Sequence, residues 1–404
     1  MKYLFALFTL FSTVTKTILM FIIYFLSGFI IKNNKRWGFG SWVGKEFRGN
    51  TKYLYNYVRS NHKEIEIFWI SKSKSQHEKL LKKGINSVYA YSIDGLIKIS
   101  TSGVFFCTHG FVDIIPCLTK NSILVQLGHM TFTIKNNSIN ETHKKNFIKR
   151  IYHQCLLFYF FMRDIDYGIY SSEVSEKNLK CPEKSYPKIP LVLGVPKSDY
   201  LYSLKMNKVD SKLEKKILGK TIPKNEKVIL FIPTYRDDKK FHIFNFGFTP
   251  EKISHFIEKN KCHFYISHHP SSEHENIHAY NLKNFNLINF DGSSIDHMLN
   301  VSDLLITDYS SLFSDYLIFD KPIIFAKFDH LTYLKDTGIK INYDDLPGPK
   351  VSDWDELLNE TNKILYEVDL FVDIRNNWKN KIYKNLDSNN CKRIAEYFKS
   401  HCPD

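Results

Sequence analysis

What most constrains the fold of this 404-residue sequence is the order of its apolar runs. Short β-branched and aromatic runs at 64–71, 87–92, 103–108, 122–127, 167–170 and 188–194 read as strands. Helical patterns lie between them at 76–83 and 92–100, and 146–162 is a long, aromatic-rich helix candidate. After a Lys-rich stretch around 201–227 that contains Gly219 and Pro223, the alternation restarts. Strands are expected at 227–233, 263–267, 285–289, 303–307 and 322–326, helices at 249–260 and 294–300, and a mostly helical tail at 354–399. Strands that alternate with helices pair in parallel, with both faces of the sheet covered. The pattern therefore predicts an α/β protein of two Rossmann-like domains facing across a cleft, with ligands beyond the carboxyl ends of the strands. The expected divisions are 1–35, 36–205 and 206–404, the last including the helical tail.

Composition narrows the partners. Lys and Arg total 56 against 42 acidic residues, a formal charge of +14, which favours an anionic partner. No RNA-binding aromatic pattern or helix-turn-helix is evident, so nucleic acid is not expected. The seven cysteines are scattered without a CxxC pair, which predicts reduced thiols in a cytoplasmic setting and no zinc site. No cofactor or metal is expected. Residues 1–31 are almost wholly apolar, but the stretch 17–31 is shorter than the ~20 residues that cross a bilayer. Lys32, Lys35 and Arg36 follow at once. Three readings stand: a helix lying in the cytoplasmic leaflet with the basic cluster on lipid phosphates, a spanning anchor, or a buried core helix. In either membrane case the basic flank holds the rest of the chain on the cytoplasmic side.

Four polar clusters follow strands. Thr307, Asp308, Tyr309, Ser310 and Ser311 stand where a strand hands over to a helix expected at 312–319. The serines read either as a plain helix cap or, with the free N–H groups of the helix start, as a phosphate seat. Thr234 and Arg236 follow the first strand of the second half, where a guanidinium suits a diphosphate; the alternative is a surface ion pair with Asp237 or Asp238. His269, before Pro270, reads as a phosphate donor or as a histidine bonded within a turn. His274 and His278 next to it raise a metal reading that no zinc-type pattern supports. In the first half His129 follows a strand and has the pKa range of a general base, although a structural role is the alternative. His109 is a weaker candidate of the same kind.

These residues resemble a known family. TDYSS with Asp315 and Asp320-Lys321-Pro322, the FIPTYRD run, His269-Pro270, the run Leu193 to Asp199 (LGVPKSD) and Phe47-Arg48-Gly49-Asn50 together are similar to the CDP-glycerol glycerophosphotransferases. These are the polymerases and primases of teichoic acids and of similar phosphate-linked capsules, and the resemblance runs over about residues 36–390. It implies a type B glycosyltransferase fold and transfer of an alditol phosphate from a CDP-alditol to a hydroxyl, with CMP leaving. It assigns the base to His129, phosphate binding to Arg236, a second catalytic histidine to His269 and donor contacts to Ser310 and Ser311. Thr234, Thr307, Asp308 and Asp315 complete the expected substrate-binding set, with Asp308 and Asp315 orienting it. The sequence departs from the family at Gly128 (usually Trp), Met130 (usually Gly) and Ser314 (usually Phe). The expected partners are a CDP-alditol donor, a lipid-linked or anionic polymer acceptor and the cytoplasmic membrane leaflet. The rivals are a type B glycosyltransferase using a sugar nucleotide and a non-catalytic, membrane-bound module that binds anionic polymer.

Overall fold

The computed structural model describes residues 2–136, 164–180, 186–207, 211–234, 236, 243–267, 282–288 and 294–401. The helix expected at 146–162 and the histidines at 269, 274 and 278 lie outside these residues. The chain divides into two compact units.

The first unit comprises the described residues up to 129, 164–200 and 384–401. Its seven strands are β1 (Asn33–Phe39), β2 (Glu66–Ser71), β3 (Ser87–Tyr89), β4 (Ser102–Cys107), β5 (Ile123–Gln126), β6 (Tyr167–Tyr170) and β7 (Ile189–Val192). They form one sheet in the order β3-β2-β1-β4-β5-β6-β7, with every neighbour parallel. β4 is buried at every residue, as expected of a strand covered on both faces. The helices Lys74–Lys82 and Ile93–Thr101 start at Ser73 and Ser92, whose hydroxyls accept from Gln76 N and Gly95 N. One face of the sheet packs Trp37, Phe39, Trp69 and Phe106 against Leu54, Tyr55 and Val58 of the helix Gly49–Asn61. The other packs Phe68, Ile70, Phe105 and Leu124 against Phe111, Ile114 and Ile165.

Two expectations are corrected in this unit. β1 begins at Asn33, so residues 33–35 belong to the sheet and not to a separate N-terminal segment. The strand escapes sequence reading because it opens on Asn33, Asn34, Lys35 and Arg36, and only its last three residues are buried. The tail is also placed differently. The helix Asn390–His401 belongs to the first unit, where Cys391, Ile394, Ala395 and Phe398 join the core beside Trp37 and Val58. The run Leu193 to Asp199 docks it: the Asp199 carboxylate accepts from Asn390 N at 3.0 Å and Cys391 N at 2.8 Å. Asn390 Nδ2 donates to Ser198 Oγ at 2.8 Å. Gly194 sits at φ +85°, and a Cβ there would lie 1.9 Å from Asn390 Oδ1, so only glycine fits beneath the tail.

Residues Lys2–Ser27 form one helix. Among the described residues no helix is long and apolar enough to cross a membrane. Two of the three basic residues after the helix are engaged by protein groups, and Lys35 is exposed. Lys32 Nζ donates to the carbonyls of Ser100 and Leu118, and Arg36 pairs with Glu66 at 2.7 Å.

The second unit comprises 130–136 and the described residues of 201–383. Its strands are β8 (Lys227–Ile232), β9 (Cys262–Ser267), β10 (Phe285–Ile288), β11 (Leu304–Thr307), β12 (Ile323–Ala326) and β13 (Lys350–Val351). They form a parallel sheet in the order β10-β9-β8-β11-β12-β13. Phe231, Phe264, Ile306 and Ile324 pack on one face against Trp354, which also meets Phe248 at 5.1 Å. Residues 130–136 join this unit because Lys135 bridges to Ile339 and Asn136 N donates to Gly338 O at 3.0 Å. β13, only two residues long, carries too little pattern to be seen in sequence. In both sheets the strand order reverses once, at β1/β4 and at β8/β11. In open α/β sheets such a switch point is where ligands bind.

Phe398→Ala should lower the stability of the first unit by about 3–5 kcal/mol, because the ring is fully buried against Phe106 and Tyr167. Urea unfolding followed by circular dichroism reads this directly, and a transition like the parent's would show that the tail is not part of that core.

Candidate functional site

In the first unit, polar groups gather after β1, β4 and β5. β4 and β5 are parallel neighbours paired Cys107 to Gln126, so the residues that follow them are brought side by side. His109 and His129 stack with ring centroids 4.4 Å apart and planes 10° from parallel. Trp42, just after β1, meets His109 edge-on at 4.8 Å and His129 at 6.3 Å. The Arg48 guanidinium lies over the Trp42 ring at 3.3 Å.

One buried carboxylate organises this group. Asp113 Oδ2 accepts from Thr108 N at 2.8 Å, Thr108 Oγ1 at 2.9 Å and His109 N at 2.7 Å, while Oδ1 accepts from Val43 N at 2.7 Å. The Thr108 hydroxyl donates to Asp113, so it is left to accept from His109 Nδ1 at 2.9 Å. That network assigns the neutral His109 ring the tautomer with Nε2 unprotonated. The bond to Val43 holds a turn in which Trp42, Val43 and Gly44 all have positive φ, at 47°, 60° and 71°. A second clamp is Asn50, buried at the start of its helix. Its Nδ2 donates to Leu127 O and Gly128 O, 3.0 Å each, and its Oδ1 accepts from Lys197 N at 2.8 Å. This amide fixes the backbone immediately before His129, where Gly128 stands at φ +66°.

His129 is exposed, with its ring stacked on His109 and edge-on to Trp42. Desolvation, then the like charge of His109, push its pKa down to about 4, with Asp113 pulling the other way. His109 is lowered too, first by burial and against the pull of Asp113. Both rings are therefore neutral near pH 7, which is the proton-accepting form.

In the second unit the groups follow β8, β11 and β12. Arg236 is committed to protein partners. Nε and Nη2 donate to the two oxygens of Asp329 at 2.8 and 2.9 Å, Nη2 also reaches Asp308 Oδ2 at 2.9 Å, and Nη1 donates to Thr234 O at 2.6 Å. The guanidinium lies over Tyr333 at 4.5 Å, which itself stacks on Tyr309 at 3.8 Å. Burial works against the charge, but Asp308 and Asp329 outweigh it and hold the Arg236 pKa above its ordinary value. Asp308 Oδ1 accepts from Thr234 N at 2.8 Å and Tyr309 N at 2.6 Å, and its carbonyl from Tyr343 Oη at 3.1 Å. Asp308 is thus an orienting group, wholly enclosed.

The expected residues separate by role. Thr307 is buried with its hydroxyl donating to Ile232 O at 2.8 Å, which corrects its assignment: it staples β11 to β8 and is not turned to a ligand. Thr234 Oγ1 is buried without a partner. Ser310 Oγ accepts from Leu312 N at 3.3 Å. Ser311 stands at the cap position with no side-chain bond to the helix Leu312–Tyr316, which continues as a 3₁₀ turn, Leu317–Phe319. Asp315 is buried beside Tyr383. Among the described residues no cluster of three or more His, Cys, Asp or Glu could hold a metal ion. Sequence reading missed Trp42, Arg48, Asn50, Asp113 and Asp329. Asp329 had a usable signal, a carboxylate shortly after a strand. Trp42 had none, because β1 itself was invisible.

Residues 22–399 match the sequence pattern of the family described as CDP-Glycerol:Poly(glycerophosphate) glycerophosphotransferase. A teichoic acid poly(glycerol phosphate) polymerase of Bacillus subtilis (strain 168) is 26% identical over 81% of this chain and 43% of its own length. A polymerase of the same name from Bacillus spizizenii is 25% identical over 85% of each chain. The chain thus spans less than half of one relative and most of the other. The solved wall teichoic acid polymerase TagF shares the fold, at a TM-score of 0.68 and 18% identity over 97% of this chain and 98% of that one.

Arg236→Met would strand two buried carboxylates. It should cost about 3–5 kcal/mol in denaturant unfolding. Adding Asp329→Asn should recover part of that loss, and additive losses in the double variant would refute the coupling.

Proposed function

Because the chain belongs to the CDP-glycerol:poly(glycerophosphate) glycerophosphotransferase family, we propose that it moves an alditol phosphate from CDP-glycerol or a similar CDP-alditol to a hydroxyl of a teichoic-acid-like or capsular polymer, releasing CMP. The observation that carries this reading is the pair of polar clusters at the strand-order reversals. One offers a neutral imidazole; the other offers hydroxyls around a buried ion triad.

In this reading His129 takes the proton of the acceptor hydroxyl, with Asn50 holding the backbone before it. The oxygen attacks the β-phosphorus of the donor, a new O–P bond forms, and the bridging O–P bond breaks with CMP carrying the electron pair away. Thr234, whose buried hydroxyl has no partner among the described residues, and the half-buried Ser310 and Ser311 bind the diphosphate, and His269 contributes a further donor. Arg236 acts through Asp308 and Asp329, keeping these donors in place. Phosphotransfer of this kind is mainly positioning and charge stabilisation, which suits a site built from hydroxyls and locked backbone.

Membrane attachment is part of the proposal. Ile18, Leu19, Ile22, Phe25, Leu26, Phe29 and Ile31 are exposed along and just after the first helix. Such a surface suits burial in the interfacial region of a leaflet. The purified chain should float with anionic vesicles, and Phe25→Glu with Leu26→Glu should abolish flotation. Flotation unaffected by both changes would count against the attachment.

The reaction is tested by offering CDP-glycerol, CDP-ribitol and a panel of sugar nucleotides with a short synthetic acceptor, and following CMP release and product mass. Turnover only with a sugar nucleotide would refute the proposal. His129→Ala should lower kcat by about 10²–10⁴-fold. The lowered His129 pKa keeps the base neutral as pH falls below the ordinary value of 6.5, so kcat/KM should hold and then decline towards pH 4. His109→Ala, by removing a like charge, should move that decline to higher pH.

A further inference from the structure

We propose that Arg48 is an anion-recognising residue of the first unit, binding a phosphate group that the acceptor carries next to the hydroxyl that reacts. The inference rests on the reading of His129 as the base, and it assigns to Arg48 the recognition of the phosphodiester that adjoins the acceptor's terminal alditol.

Arg48 is prepared in an unusual way. Its guanidinium is spread flat over Trp42 at 3.3 Å, a stack that fixes the plane of the fork and leaves its edges open. Trp42 in turn touches both imidazoles, so one aromatic ring joins the cation to the candidate base. Nε faces Glu46 at 2.8 Å and is otherwise buried without a hydrogen bond. Glu46 is about half exposed, so that ion pair is screened and weak. Among the described residues Nη1 and Nη2 have no protein partner. An arginine held rigid by a ring, with two nitrogens unspent, is arranged for a planar two-point contact with a phosphate. Trp42 links the two groups, 3.3 Å from the guanidinium carbon and 6.3 Å from the His129 ring.

Arg48 holds the N-cap position of the helix Gly49–Asn61 through its backbone, and its side chain makes no capping hydrogen bond there. The other basic side chain of this unit close to Asp113, Lys72, is spent: its Nζ donates to Val112 O at 2.7 Å. Arg48 lies close enough to both imidazoles to oppose their protonation, and its Nη donors are open. The strained turn that carries Trp42 is locked by Asp113, so the platform keeps its place whether or not a ligand is bound.

Two readouts test this. Transfer to a synthetic acceptor ending in a phosphodiester-linked alditol is compared with transfer to the same acceptor lacking the phosphate. Arg48→Gln should raise KM about tenfold or more for the first acceptor and leave the second and the CDP-alditol KM near their parent values. An equal change for both acceptors, or none, would overturn the proposal. The second readout does not depend on turnover. Titration of the full chain with glycerol 3-phosphate should shift the His109 and His129 ring signals in NMR, and Arg48→Gln should remove the shift while the spectrum stays folded. No shift in the parent chain, or an undiminished one in the variant, would equally overturn it. Absence of CMP release with every donor would instead refute the reading of the reaction, and the titration would still decide the role of Arg48.

Discussion

A guanidinium enclosed with two carboxylates tolerates no half measures: each charge is bearable only while the others remain. Arg236, Asp308 and Asp329 come from the segments after β8, β11 and β12, so their pairing ties three adjacent strand ends into one rigid rim. The backbone of Thr234 and Tyr309 is drawn into the same arrangement through Asp308. Two stacked tyrosines cover the guanidinium and keep water from screening the pairs. The half-buried Ser310 and Ser311 follow Asp308 and Tyr309 in the chain and inherit that rigidity.

The first unit solves the same problem with less charge. Asp113 satisfies its two oxygens with four donors from two separate loops, and Asn50 uses every arm of its amide on backbone. These fully used polar groups hold in place the features that would otherwise relax. They are a left-handed turn at Trp42 and Val43, which non-glycine residues seldom adopt, and two imidazoles stacked closely enough to resist protonation together. Strain and repulsion near a candidate base persist because the surroundings over-determine them.

Most of this architecture was legible in the sequence, for physical reasons that also mark the limit. β4, β8 and β11 are buried on both faces and read as continuous apolar runs. β1, although central, is half polar because its first residues lie at the sheet's edge of burial. His129, Arg236, Asp308, Ser310 and Ser311 were found because each follows a readable strand. Their partners were not, since pairing across strand ends is a fact of three dimensions. Arg236 shows the difference: a diphosphate or an ion pair with Asp237 or Asp238 was expected, and its donors are instead occupied by Asp308 and Asp329, which lie far along the chain. The LGVPKSD run was conspicuous in the sequence, yet what it does is seat the tail.

That tail carries an implication for how the chain comes into being. Phe398 and Ile394 complete a core whose other members, Trp37, Leu54 and Phe106, are made at the opposite end of synthesis. A ribosome releases those early residues long before the last helix exists, so the amino-terminal sheet must wait with one flank uncovered. The carboxyl-terminal sheet, whose strands lie between 227 and 351, has its own core complete sooner. The sheet translated earlier is thus the one completed later, and a nascent chain stalled before residue 390 would expose the apolar face that the helix Asn390–His401 covers.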